Sequence, residues 1–348
     1  MVRGLSARTI RTPSLRPLMP DHHPPRIAIA TGDPAGIGPE ISLKAALDLV
    51  VRRICRPLLV GDPVVIGRHA AAAGIAAHVN VVADASDARW SDRTIDVLAV
   101  PVADSAVPAF GVADPACGRA ALASAACAIA AARAGAVDAV VAAPHNQSSI
   151  AAAGIAFDGY PGFVARETGM SQDDVFLMLC FGATRIVHCT LHVGVATALA
   201  LITRERVGRT IRAADAALRR IGIAHPRLCV SGLNPHAGEG GLFGREEIDV
   251  IAPAIGDAQA AGIAADGPFG ADTIFRRHDV DAFIVMLHDQ GHIAAKLLAV
   301  NQSAAFAIGS PILFSSVAHG SAFDIAGMGV ASPAAMIEAI ARIAAAPG

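Results

Sequence analysis

Arg26-Ile27-Ala28-Ile29-Ala30-Thr31-Gly32-Asp33-Pro34-Ala35-Gly36-Ile37-Gly38-Pro39-Glu40 runs from an apolar stretch through a glycine-rich turn into a proline–glutamate pair. The unbroken Ile/Ala run reads as a strand buried on both faces, because a half-exposed strand would alternate apolar with polar. Proline suits the first turn of a helix, so a helix is predicted to begin near Pro39. Strand, tight turn and helix in succession form the basic step of an α/β fold. Glycines in such a turn leave backbone amides free to meet an anion or a ligand edge, which makes Gly32 and Asp33 candidate cofactor contacts. The turn has neither the spacing of the dinucleotide fingerprint nor that of the phosphate loop.

Outward from this step the pattern repeats. Apolar runs at residues 57–61, 95–100, 139–143, 186–191, 228–232 and 282–287 alternate with Ala- and Leu-rich helical stretches. This predicts largely parallel strands with the working residues in the loops after them. A chain of 348 residues exceeds the size at which one core stops growing, so two domains are expected. Boundaries are expected near residues 145 and 300, with residues 26–145 and 300–348 forming domain I, residues 146–299 forming domain II, and residues 1–25 a disordered extension outside the fold.

Composition removes several function classes. With 53% hydrophobic and 17% charged residues and a net charge of −2, most of the chain must be buried and no basic stripe is available, which argues against nucleic acid as a partner. The Ala-rich run at 120–132, broken by Arg133, is too short and weakly apolar to predict a membrane span. Six cysteines without regular spacing read as small buried hydrophobes in a reducing cytoplasm.

Three histidine motifs each follow a predicted strand: Thr190-Leu191-His192, Asn234-Pro235-His236-Ala237-Gly238-Glu239 and His288-Asp289-Gln290-Gly291. His192, His236 and His288 are therefore candidate ligands of one divalent metal with an open position for substrate. His188, flanked by Ile186 and Val187, reads as a structural strand residue. Asp272, after the Gly267-Pro268-Phe269-Gly270 turn, and Asp289 are candidate proton carriers. Lys44 and Lys296 are the only lysines in a chain that otherwise uses arginine. Lys296, eight residues after His288, is the candidate substrate-carboxylate contact or proton shuttle, whereas Lys44 on the first helix reads as a surface residue. His145, together with Arg185, is a candidate for a distal substrate carboxylate on charge alone. In His319-Gly320-Ser321-Ala322-Phe323-Asp324, small residues beside a carboxylate suit a ribose diol, so His319, Gly320, Ser321 and Asp324 are assigned to a cofactor, NAD rather than NADP.

The ordered set GDPAGIGPE, TLH, GLNPHAGEGG, GPFGADT, HDQGH and HGSAFDIAG resembles the 4-hydroxythreonine-4-phosphate dehydrogenase family from Ile27 to Ala331. The resemblance implies a homodimer of two-domain α/β/α subunits of the isocitrate and isopropylmalate dehydrogenase type, with the active site in the interdomain cleft, domain I on the cofactor side and domain II on the metal and dimer side. It also implies NAD as cofactor and a divalent metal held by His192, His236 and His288, with His288 coming from the partner subunit. Zinc is the first candidate metal, with cobalt, nickel, magnesium or manganese as alternatives. Members acting on phosphorylated threonine derivatives carry a His-Thr pair, a later Asn and an Arg where this chain has Tyr160-Pro161, Ala305 and Phe314. Those losses remove the partners a phosphate dianion needs. The stretch PHNQSSIAAAGIAFDGYPGFVARETGM with RIVHCTLH and HDQGHIAAKLLA is more similar to the terephthalate cis-dihydrodiol dehydrogenase branch. That implies oxidative decarboxylation of an aromatic-derived diacid, with Tyr160 and Pro161 facing substrate. Oxidation of a phosphorylated threonine derivative is the alternative within the family, and a zinc hydrolase or a binding protein the alternatives outside it.

Overall fold

The computed structural model describes residues 23–91, 93–102, 109–298 and 303–345, so nearly all of the expected extension at residues 1–25 lies outside the described residues. Each of the seven apolar runs contains a strand: β1 (Arg26–Ala30), β2 (Arg56–Gly61), β4 (Ile95–Ala99), β5 (Ala139–Ala142), β7 (Thr184–His188), β8 (Arg227–Ser231) and β10 (Ala282–Val285). Five further strands were not predicted: β3 (Val79–Val82), β6 (Phe176–Phe181), β9 (Ala264–Phe269), β11 (Ala304–Ile308) and β12 (Phe314–Val317). Local composition masks three of them. β9 contains Gly267-Pro268, which reads as a turn, β11 is alanine-rich like the helices, and β12 has serines at its centre.

The twelve strands of the described residues form one sheet in the order β3-β4-β2-β1-β5-β12-β11-β6-β7-β10-β8-β9. The six strands from β3 to β12 are parallel to one another, as are the four from β7 to β9. Between these blocks β11 pairs antiparallel with both β12 and β6, and β6 antiparallel with β7. The C-terminal strands thus return to the middle of the sheet. The expected division at residue 145 differs from the packing: the helices Gln147–Ala152 and Tyr160–Thr168 lie against the helix Pro115–Arg133 of the first block. They follow β5 and bury Ile150, Phe163 and Val164.

The helix Pro115–Arg133 is by length and composition apolar enough to cross a membrane, which the sequence reading did not anticipate. Its apolar character has a local cause, since Leu122, Ala125, Ala128 and Ile129 are buried and the helix packs on β1 and β2.

Candidate functional site

β7, β10 and β8 are neighbours in the sheet, and His192, His288 and His236 follow their C-terminal ends. The His192 and His288 rings stand 5.7 Å apart, centroid to centroid. Two imidazoles sharing a tetrahedral metal at normal metal–nitrogen distances have centroids roughly 5 Å apart, so this pair fits a common ion. Nδ1 of His192 lies 2.7 Å from the Asp158 carbonyl, which can only accept; Nδ1 therefore carries the proton and Nε2 keeps its lone pair. Nδ1 of His288 donates in the same way to Asp289 at 2.7 Å. Backbone carbonyls and carboxylates are the usual outer partners of metal-binding histidines, and they leave Nε2 as the ligand atom. Asp289 is thus a partner of His288 and not a separate group poised for proton transfer.

The third histidine is placed differently. His236 is exposed on a turn in which five successive residues, His236 to Gly240, have left-handed φ between 43° and 78°. The turn carries the ring outward, and among the described residues no three His, Cys, Asp or Glu side chains converge closely enough to hold a metal. The three-imidazole cluster expected from sequence is therefore not assembled within one chain. The resemblance assigned His288 to the partner subunit, yet His288 already faces His192 in the same chain.

What holds the His236 turn was not foreseen. The Glu247 carboxylate, 3% exposed, accepts from the Leu233 and Asn234 amides at 2.7 Å each and from Asn234 Nδ2 at 2.9 Å. A Cβ on Gly238 would lie 2.7 Å from Glu247 Oε2, so glycine is needed there both for its φ of 78° and for clearance.

Beside the metal pair, His188 is buried at the end of β7 as expected, with Nε2 3.1 Å from Nδ1 of His292. His292 stacks on His288 with centroids 3.8 Å apart and planes 9° apart. His292 Nδ1 is engaged by His188 and by the His288 carbonyl at 3.3 Å, and its ring packs flat against that of His288. His288, His292 and Lys296 recur every fourth residue on the helix His288–Leu298, which puts Lys296 on the same face, exposed. Asp272 is exposed after β9.

On the other side of Asp158, Tyr160 is buried, its hydroxyl donating to the Ala143 carbonyl at 3.3 Å and its ring 5.0 Å from those of His145 and Phe314. Tyr160 therefore offers no free hydroxyl, and Pro161 and Phe314 are buried with it. Burial holds His145 down to about 4, so it is a neutral ring at neutral pH and the charge argument for its meeting a carboxylate fails. Arg185, at the start of β7 and bonded to the Asp281 carbonyl, lies at the strand end away from His192.

The predicted cofactor residues divide. The Ile37 amide donates to the Ser321 carbonyl at 2.9 Å, and a Cβ on Gly36 would be 2.7 Å from that of Ser321, so the two loops are in direct contact. His319, Gly320 and Asp324 face solvent. Gly32 and Asp33 do not: Asp33 is fully buried, its Oδ1 accepting from the Ala35 amide, and burial pushes its carboxyl above the usual range. Asp33 braces the turn from beneath, which corrects its assignment as a cofactor contact. Gly32, buried with a φ of 72°, is required because a Cβ would meet the Pro144 carbonyl at 2.3 Å.

Two buried imidazoles predict an acid-sensitive fold. Burial lowers His145 to about 4 and His188 to about 3, against about 6.5 in an unfolded chain. Below about 6.5 the unfolded chain takes up protons that the folded one refuses, so stability falls as pH drops from 6.5 toward 4. Urea midpoints measured across that range should decline steadily; a flat profile would contradict the neutral-ring assignment.

A family model described as pyridoxal phosphate biosynthetic protein PdxA matches residues 53–343. A Symbiobacterium thermophilum protein provisionally named D-threonate 4-phosphate dehydrogenase is 42% identical over 319 residues, covering 91% of this chain and 95% of its own. The 1,2-dihydroxy-3,5-cyclohexadiene-1,4-dicarboxylate dehydrogenase of a Comamonas species is 41% identical over 329 residues, covering 93% and 98%. Among solved structures, a terephthalate 1,2-cis-dihydrodiol dehydrogenase from Burkholderia xenovorans is 45% identical, covers 92% of this chain and 98% of its own, and superposes with a TM-score of 0.70.

Proposed function

Since this chain belongs to the PdxA family and is a dehydrogenase, we propose that it oxidises an aromatic-derived cis-dihydrodiol dicarboxylate with NAD and a divalent metal, releasing carbon dioxide. The observation that carries the reading is the contact between Tyr160 and Phe314, rings 5.0 Å apart, one residue from the Gly159 backbone that packs on His192. Where the phosphate-handling pattern has His and Arg, this chain has two buried rings with no cation. Burying a phosphate dianion there would cost several kcal/mol for want of charged donors, roughly 1.5–3 kcal/mol per missing bond. A cyclohexadiene ring meets no such penalty, and the carboxylates of the proposed substrate would find their donors elsewhere, Lys296 being the candidate for one.

His192 and His288 would hold the metal through Nε2, and zinc suits their imidazole donors. A divalent ion there would supply Lewis-acid polarisation of a substrate oxygen. Lys296, on the same helix face as His288, would bind a substrate carboxylate or return the proton from Nζ, with Asp272 as the second candidate for proton transfer. Asp324, exposed on its loop with His319 and Gly320 beside it, would accept from the ribose hydroxyls. The metal site would be completed by a homodimer: Val195, Leu242, Phe243, Ile293 and Leu297 are exposed apolar side chains on the segments around the histidines, as expected of a face that associates. Six free cysteines, five of them buried and Cys127 half-buried, agree with a cytoplasmic enzyme.

Oxidation of a phosphorylated threonine derivative is the competing reading, favoured by the 42% identity with the D-threonate 4-phosphate protein. NADH formation from NAD with each substrate, with and without chelator, separates them. Turnover of the dihydrodiol alone, abolished by chelator, is expected; turnover of only the phosphorylated substrate would refute the Tyr160–Phe314 argument.

A further inference from the structure

Lys44 is not the surface residue that the sequence suggested. Its side chain is 21% exposed, and its ammonium donates to three acceptors: Glu40 Oε1 at 2.6 Å, the Gly329 carbonyl at 2.9 Å and the Ala331 carbonyl at 2.8 Å. Glu40, 1% exposed, accepts in turn from the Ala331 amide at 2.9 Å. Three acceptors match the three N–H bonds of an ammonium, all from one nitrogen, and a planar guanidinium distributes its donors differently. This gives a reason for lysine in a chain that otherwise uses arginine.

The segment held is the far end of the loop that begins at His319. Its near end is tied to the same helix–turn unit by the Ile37 amide on Ser321. Gly329, with a φ of 72°, is wedged from the other side, since a Cβ there would lie 2.8 Å from Ala73 Cα. The loop is thus pinned at both ends to the helix Gly38–Leu47 and its preceding turn, while Asp324 between the pins stays exposed.

We propose that Lys44, through its three bonds to Glu40, Gly329 and Ala331, is a positioning residue that holds the 319–331 loop in the conformation that receives the dinucleotide. The assignment of that loop to NAD rests on the function proposed above; the latch itself does not. Lys44→Met keeps the aliphatic stem and removes all three donors.

The test is equilibrium binding of NAD and, separately, of zinc by chelator competition, together with amide hydrogen exchange. In Lys44→Met the NAD dissociation constant should rise about tenfold, the effect of losing a charged hydrogen bond, while zinc affinity at the distant histidines stays within about twofold. Exchange should accelerate over residues 325–331 and not over the core strand β5. Unchanged NAD affinity with unchanged exchange, or a parallel loss of NAD and zinc affinity, would overturn the proposal. Should Lys44→Met fail to fold, Lys44→Arg retains the charge and is expected to show the same split in weaker form; wild-type NAD binding and exchange in that variant would also overturn it. If the wild-type protein binds no NAD, the cofactor reading fails, and faster exchange confined to 325–331 still decides for the latch.

Discussion

His192→Ala should lower kcat/KM by about a thousandfold or more, the scale of losing a polarising ion from a reacting oxygen, with bound metal falling in parallel. The expectation rests on the pairing of His192 with His288 at 5.7 Å and on the Asp158 carbonyl, which fixes the proton on Nδ1. His288→Ala should cost a similar amount, and the double variant should be little worse than either single one, because groups that act through one ion fail together. His192→Gln tests the atom involved: it keeps a polar side chain of similar reach but lacks the imidazole lone pair, and should not restore metal. Steady-state kinetics with metal content by atomic emission makes the check. Full metal occupancy in both single variants would remove these residues from the site, whereas loss of activity with metal retained would make them substrate contacts.

Much of the fold was legible because parallel strands buried on both faces announce themselves as continuous apolar runs, as at Ile27 to Ala30 and Ala282 to Val285. What was not legible depends on long-range pairing. β11 and β12 gain strand structure only because β6 and β5 flank them, and Ala304 to Ile308 carries no local sign of it. The site divided on the same principle. His192 and His288 follow apolar runs and were found, while the carbonyl that orients His192 belongs to Asp158, whose part in the site comes from backbone and leaves no mark in residue identity. His292 was not singled out in the sequence, because its contact with His188 depends on the pairing of β7 with β10. Asp33 was misread because a polar residue in a glycine-rich turn looks the same whether it faces ligand or protein.

Glu247→Ala should lower folding stability by about 3 kcal/mol, since it strips the acceptor from three donors, two of them backbone amides, at roughly 1 kcal/mol or more each. It should also weaken metal binding by more than about tenfold in the homodimer proposed above, where the outward-facing His236 would complete the site shared between subunits. The coupling is through the backbone. His236, Ala237 and Glu239 are non-glycine residues held at φ of 43° to 53°, a conformation costing roughly 1–2 kcal/mol per residue, and it persists only while its surroundings impose it. Without Glu247 the turn relaxes and His236 is no longer presented. The pH dependence separates this from ordinary loss of packing. Burial alone would raise the Glu247 carboxyl, but the Asn234 and Leu233 donors outweigh it and hold it below its usual range. A carboxylate whose folded pKa is depressed stabilises fully above its unfolded value, near 4.3, and that contribution is lost as pH falls through the folded value. The stability gap between wild type and Glu247→Ala should therefore be widest at neutral pH and narrow below about pH 4, while the histidine-linked acid sensitivity stays common to both. Urea denaturation of the pair at several pH values measures the gap. A gap independent of pH would mean that Glu247 acts by filling space, and that the His236 turn is held by something other than its charge.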